Sequence, residues 1–256
     1  MRAAVIGHPI AHSRSPELFA RFAAATGVPV RYEAVDVPPA ALANTLAIWR
    51  NDDDFVGCNV TLPHKERALA LADRADATAT QCGAANVLTR DDRALVASNT
   101  DVEGIEDALR AYGVTLRDAR VAILGTGGAA RAAAAAAARG SAARIAIAGR
   151  DRARTATIAK AFGATACTLG TVPVSDIYVQ TTPLGMTGQE QTSLLPLDAP
   201  AGAVAFDVVY TPPVTPFLRD ATDRGMLAVG GEAMFLAQAA ATFARWFGVR
   251  APGAVA

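Results

Sequence analysis

The sequence predicts an α/β protein, and three observations carry that prediction. Apolar strand-like runs alternate with helix-forming stretches through the whole 256-residue chain, the pattern of a largely parallel sheet covered by helices. One run, Arg120-Val121-Ala122-Ile123-Leu124, passes through Gly125-Thr126-Gly127-Gly128 straight into an alanine block. Hydrophobic residues make up 52% of the chain, enough to bury a core in one large domain or two small ones.

The elements follow in order. Strands are expected at 3–7, 31–37 and 55–62, each followed by a helix: from Ser15, over 40–49, and from His64. Strands at 85–89 and 94–98 flank the polar Arg90-Asp91-Asp92-Arg93 and read as a hairpin. A helix over 102–112 stops at Gly113, and strands follow at 120–124, 144–148, 177–181, 203–208 and 226–229, with helices between several of them. That second series is Rossmann-like. The last helix, 232–247, carries Met234, Phe235, Ala237, Ala241, Ala244 and Trp246 in a broad apolar distribution, so it must bury much of its surface. The expected organisation is an N-terminal α/β substrate-binding and catalytic domain, 1–101, with a mostly parallel sheet, and a Rossmann-like dinucleotide-binding domain, 102–231. Residues 232–256 are expected to pack back on the first domain, with the tail after Gly248 frayed.

Composition narrows the function. Acidic and basic residues balance at 24 each, leaving no global field to draw in nucleic acid or a membrane surface. No tract has the length and apolarity of a membrane span, and Met1 to Gly7 begins directly as a strand. A cytoplasmic enzyme is the economical expectation. Cys58, Cys82 and Cys167 are widely spaced and read as small buried residues. His8 and His12 are separated by Pro9, which argues against a shared helix face, so no metal site is expected.

The glycine turn has a specific chemistry. Gly125, Thr126, Gly127, Gly128 and Ala129 join a strand to a helix start, where glycines let backbone N–H groups approach phosphate oxygens and the helix dipole favours the anion. The next strand ends in Gly149-Arg150-Asp151-Arg152-Ala153-Arg154, where the cofactor ribose is read. Arg150 and Arg154 suit a 2′-phosphate, at about 1.5–3 kcal/mol for each charge-assisted bond. NADP is therefore expected over NAD. A solvated helix start, with Asp151 among the arginines, is the alternative.

In the first half, small polar groups collect at strand ends. Ser15 reads as a helix N-cap with Pro16 in the first turn, and Ser13 and Ser15 beside the helix start can hold a carboxylate. Asn59 and Thr61 end a strand before Lys65, a cation poorly placed in a first helical turn. Asp101 follows Ser98-Asn99-Thr100, where it caps a helix or, paired with Lys65, equips a site to move a proton while hydride moves.

GHPIAHSRSPELF, NVTLPHKE, GAANVL, SNTD, ILGTGGAARA, GRDRAR, TTPLGM, FDVVYTPPVTPFL and AMFLAQAA stand in order over nearly the full length. In these segments the chain resembles the NADP-dependent shikimate dehydrogenase family. The resemblance implies reversible reduction of 3-dehydroshikimate to shikimate, with Lys65 and Asp101 as the catalytic pair. It implies that Ser13 and Ser15 bind the substrate carboxylate, and that Asn59, Thr61, Asn86 and Gln238 contact its hydroxyls or order the pocket. Tyr210 and Gly231 match positions lining the substrate and nicotinamide region, Met234 one packing near the nicotinamide, and Thr181 joins the cofactor-binding set. The chain departs from the family pattern at Val102, at Gly149 and Asp151 in place of Asn and Thr, at Gln180, and across Gly230-Gly231-Glu232-Ala233-Met234. A quinate/shikimate dehydrogenase with relaxed substrate or NAD use, and a noncatalytic NADP-binding sensor, stay open beside it. A monomer or homodimer is expected, with no nucleic-acid or membrane partner.

Overall fold

The computed structural model describes residues 1–251; the end of the expected returning tail, 252–256, lies outside them. The chain divides into two compact units, 1–100 together with the chain from Leu236, and Asp101–Phe235.

The first unit opens with β1 (Arg2–Gly7), α1 (Ser15–Thr26), β2 (Arg31–Asp36), a 3-10 turn at Pro39–Ala41, α2 (Leu42–Arg50) and β3 (Phe55–Val60). It continues with α3 (Lys65–Leu71), β4 (Arg74–Ala75), α4 (Ala77–Cys82), β5 (Val87–Asp91) and β6 (Ala94–Ser98). The strands form one sheet in the order β2-β1-β3-β5-β6-β4. β1 is parallel to both β2 and β3, and β4 to β6, whereas β5 runs antiparallel to β3 and β6. The hairpin turn is tighter than expected, because Asp91 stays in the ladder opposite Ala94 and Asp92 adopts φ +55°, which an aspartate tolerates.

Pleat alternation gives this sheet two cores. Ile6, Leu42, Leu46, Phe55, Leu88 and Leu95 cluster in one. The other is aromatic: Phe19 stacks on Tyr32 at 4.0 Å, and Phe22 meets Phe243 edge-on at 5.5 Å. Phe243 is fully buried, which contributes about 1.5–3 kcal/mol and ties the C-terminal helix into this unit.

The second unit contains α5 (Asp101–Ala111), β7 (Arg120–Leu124), α6 (Gly128–Arg139), β8 (Arg144–Ala148), α7 (Arg152–Ala161) and β9 (Thr165–Cys167). After these come β10 (Ile177–Gln180), β11 (Val204–Asp207), α8 (Pro216–Asp223), β12 (Leu227–Val229) and the start of α9 (Gly231–Phe247). Its sheet is parallel throughout, in the order β12-β11-β10-β7-β8-β9. Counted from β7 this is the Rossmann order 3-2-1-4-5-6 read from the other edge. The alanine run in α6 is buried from Ala132 to Ala137, since methyl side chains let helix and sheet backbones come close.

Strand ends differ from expectation where a side chain turns the backbone. β3 stops at Val60 because the Leu62 carbonyl accepts from His8 N and His64 N closes a turn on the Thr61 carbonyl. β11 stops at Asp207, whose carboxylate accepts from Val209 N at 2.9 Å. Cys58 and Cys82 are buried as expected, but Cys167, on the edge strand β9, is only half-buried. No helix among the described residues is long and apolar enough to cross a membrane.

Candidate active site

In open α/β sheets, ligands bind outside the carboxyl ends of strands where the strand order reverses. The first sheet reverses between β1 and β3, because the chain runs from β1 outward to β2 and then back across to β3. The segments leaving these two strands carry Ser13 and Ser15 after β1, and Thr61 and Lys65 after β3. They come close together: a Cβ at Gly7 would lie 2.7 Å from Thr61 Cγ2 and 2.9 Å from the Leu62 carbonyl oxygen. Only glycine fits there.

Ser15 is not the N-cap that the sequence suggests. It is the first helical residue, and Arg14 before it is already helical with no capping side chain. The serine that serves the helix start is Ser13, whose Oγ accepts from Ser15 N at 3.3 Å. The chain enters through a tight turn, Ser13 N to the Ile10 carbonyl at 3.0 Å, which places the residue-13 hydroxyl under the first turn. Lys65 opens α3 and is half-buried, and its carbonyl accepts from Ala85 N at 2.9 Å. Asp101 is buried and opens α5.

Asn59, next to last in β3, lies within a buried hydrogen-bond network. Its Oδ1 accepts from the Tyr32 hydroxyl at 2.8 Å, and its Nδ2 donates to Thr242 Oγ1 at 3.2 Å and the Asn86 carbonyl at 3.4 Å. Asn86 accepts from Thr100 N at 2.7 Å through Oδ1 and donates to Thr100 Oγ1 at 3.0 Å through Nδ2. The Thr100 and Thr242 hydroxyls meet at 3.1 Å, and Thr242 Oγ1 donates to the Gln238 carbonyl at 2.9 Å. Asn59, Asn86 and Gln238 are thus brought together through Tyr32, Thr100 and Thr242, which sequence reading missed. These partners are up to 183 residues apart, and no local pattern announces them.

The second sheet reverses between β7 and β10. Gly125 follows β7 with φ +130°, and a Cβ on it would lie 2.3 Å from Thr181 Oγ1, just after β10. Thr181 donates to the Leu124 carbonyl from N at 2.9 Å and from Oγ1 at 2.8 Å, pinning the two strand ends. A Cβ on Gly127 would meet nothing within 4 Å, and no side chain caps α6. That open, uncapped helix start after a glycine turn fits a dinucleotide pyrophosphate.

Of the arginines after β8, Arg150 is exposed, while Arg154 Nε donates to the Thr126 carbonyl at 2.7 Å. Asp151 is committed to the helix: its Oδ1 accepts from Arg154 N at 3.0 Å as the N-cap of α7. Gly149 is forced, since a Cβ would lie 2.5 Å from Thr126 Cγ2 and 2.6 Å from Thr155 Oγ1. Gln180 is buried and builds the turn after β10, accepting from Thr182 N and Oγ1 at 2.8 Å and donating to the Leu184 carbonyl at 3.0 Å. Gly231 cannot carry a side chain either: a Cβ would lie 2.5 Å from the Val208 carbonyl oxygen. Tyr210 stacks on Phe235 at 4.4 Å, and Met234 is buried.

A substrate-side sheet with polar strand ends, and a Rossmann sheet with an open glycine turn, define the class of two-part nucleotide-dependent oxidoreductases. Residues 5–88 match the family model of the shikimate dehydrogenase substrate binding domain. A relative from Dinoroseobacter shibae named shikimate dehydrogenase (NADP(+)) is 42% identical, over 97% of this chain and 92% of its own. The crystal structure of the Thermus thermophilus shikimate 5-dehydrogenase in complex with NADP(H) and shikimate superposes with a TM-score of 0.86 at 34% identity, over 98% of this chain and 95% of that one. A ligand-free 5-ketofructose reductase of Gluconobacter sp. strain CHM43 has the same architecture at 28% identity and a TM-score of 0.83, over 100% and 95% of the two chains. The chain belongs to the shikimate dehydrogenase family.

Proposed function

We propose that this protein is an NADP-dependent shikimate dehydrogenase that interconverts 3-dehydroshikimate and shikimate. The observation that carries the reading is the gathering of Ser13, Asn59, Thr61, Lys65 and Asn86 around the β1/β3 reversal in a chain 42% identical to a named enzyme of that activity. Ser13 and Ser15 take the carboxylate, while Asn59, Asn86, Thr61 and Gln238 order the ring hydroxyls or the pocket around them. Bound NADPH supplies the hydride. Lys65 stabilises the negative charge that develops on the carbonyl oxygen and delivers a proton to it, and Asp101 accepts a hydrogen bond from the hydroxyl so formed.

Gly125, Thr126, Gly127, Gly128 and Ala129 cradle the pyrophosphate, with Thr181 behind the turn. Arg150 reads the 2′-phosphate, and Arg154, tied to the Thr126 carbonyl, joins that reading surface to the turn. Asp151 holds one carboxylate oxygen on the start of α7 and so offers a ribose diol less than an uncommitted acid would, which favours the phosphorylated cofactor. Tyr210, Gly231 and Met234 border the nicotinamide end.

The test is absorbance at the nicotinamide band with shikimate or quinate crossed against NADP or NAD. Shikimate with NADP is expected to have the highest kcat/KM. Absence of turnover with shikimate overturns the reading, and equal or better use of NAD removes Arg150 from the phosphate role.

A further inference from the structure

Thr242 stands on α9, 183 residues from Asn59 in the sequence, and is fully buried. Its hydroxyl has one hydrogen to give and two lone pairs. It donates to the Gln238 carbonyl at 2.9 Å and accepts from Asn59 Nδ2 at 3.2 Å. Thr100 Oγ1 lies 3.1 Å away; because the Thr242 hydrogen is already placed on Gln238, Thr100 is the donor of that bond. Thr100 in turn accepts from Asn86 Nδ2 at 3.0 Å. The Thr100 hydrogen has a second, longer acceptor in Asn86 Oδ1 at 3.4 Å; the shorter bond to Thr242 takes it, so the bonds run from Asn86 through Thr100 to Thr242, with Asn59 converging on the same oxygen. At the other end of the Asn59 amide, the Tyr32 hydroxyl donates to Oδ1 at 2.8 Å. With both Nδ2 hydrogens engaged, the capacity left on the Asn59 amide is that of its oxygen, as an acceptor.

From this we infer that Thr242 is a positioning residue that fixes the amide orientation of Asn59, so that its oxygen presents a set hydrogen-bond polarity to a hydroxylated acid; the Asn86 amide is set separately by the Thr100 backbone N–H. The inference rests on the reading of Asn59 as a substrate-side group. Valine at 242 preserves shape and deletes the hydroxyl, leaving Asn59 Nδ2 and Thr100 Oγ1 to seek other partners. Asn59 Nδ2 then keeps only its longer bond to the Asn86 carbonyl at 3.4 Å, and the Asn59 amide is held less firmly.

The experiment measures steady-state kinetics and calorimetric shikimate binding for wild type, Thr242→Val, Thr242→Ser and Tyr32→Phe, with melting temperatures alongside. Thr242→Val is expected to raise KM and Kd for shikimate about 10- to 30-fold, with kcat changing less than about threefold and the KM for NADP unmoved, as fits a loss of ground-state binding. Thr242→Ser restores the hydroxyl and is expected to return both constants to within about threefold of wild type. Tyr32→Phe keeps the ring stack on Phe19 and removes the hydroxyl that donates to Asn59. It supplies the same selective KM effect should the valine variant fail to fold. Unchanged shikimate affinity in a folded Thr242→Val, or in Tyr32→Phe, overturns the inference while leaving the enzyme reading standing. A serine variant as impaired as the valine variant also overturns it. A wild type that does not turn over shikimate defeats the enzyme reading itself, and the inference with it.

Discussion

The two sheets solve the same topological problem with different materials. Each has a parallel strand pair where its order reverses, β1 and β3 in the first and β7 and β10 in the second, and ligands of open α/β sheets bind at the carboxyl ends of such pairs. In the first, polar side chains stand at or beside the strand ends, Asn59, Thr61, Lys65 and Asn86, and a relay that includes Thr242 holds the two asparagines. In the second the strand ends are furnished by backbone, with Gly125 and Gly127 keeping side chains away and Thr181 bracing the turn from behind. On the proposed function, the difference follows from the ligands each would hold. A pyrophosphate is a diffuse anion that any row of N–H groups can hold, whereas a small hydroxylated acid presents donors and acceptors that must be matched one by one.

That contrast can be broken most forcefully at Lys65. Replacing it with alanine is expected to lower kcat by about 10²–10⁴ with a smaller effect on KM, since positioned proton transfer is worth that much. Near-normal turnover in stopped-flow or steady-state assays would remove the side-chain end from the chemistry.

The backbone end is sharpened by a matched pair of substitutions. Gly125→Ala forces a side chain into φ +130° and against Thr181 Oγ1, and is expected to cost about 1–3 kcal/mol of stability. Gly127→Ala meets nothing within 4 Å in the protein. It should leave the melting temperature nearly unchanged while weakening NADPH binding about tenfold, because only the ligand needs that space. Equal losses of stability at both positions would mean that the turn serves the fold alone.

The smallest effect is a difference in pH response. The first relay is built of neutral amides and hydroxyls, but β11 ends in Asp207, whose carboxyl is pushed up to about 7 by burial, against the bonds it accepts from Thr215 and Val209. The unfolded chain releases this proton near pH ~4 while the folded chain keeps it to about pH 7. Asp207 therefore supports the fold fully below pH ~4, and that support is lost as pH rises toward 7, by about 1.4 kcal/mol per pH unit at most. Asp207→Asn is expected to flatten this decline in urea unfolding between pH 5 and pH 8. The same slope in the variant would assign it to other groups.

What could be read from the sequence tracks how local each determinant is. The β7 to α6 turn was legible because backbone geometry demands glycine at adjacent positions. The hairpin was legible from its polar turn. By contrast, β4 and α4 escaped the reading: Arg74–Ala75 is too short to alternate, and Ala77–Cys82 gains its start from the Asp76 cap on Ala79 N rather than from apolar periodicity. Ser15 looked like a cap because it precedes Pro16, yet the turn upstream hands that duty to Ser13. The Asn59, Thr100 and Thr242 relay was invisible for a different reason, since it exists only after three distant segments meet.

Gly149 couples the end of β8 to two neighbours. The space above its Cα is already claimed by Thr126 on one side and Thr155 on the other, so any side chain at 149 requires a threonine to turn or to shrink. Redesign of this position is therefore a joint problem of three residues, and a substitution tried there alone reports on Thr126 and Thr155 as much as on ligand binding.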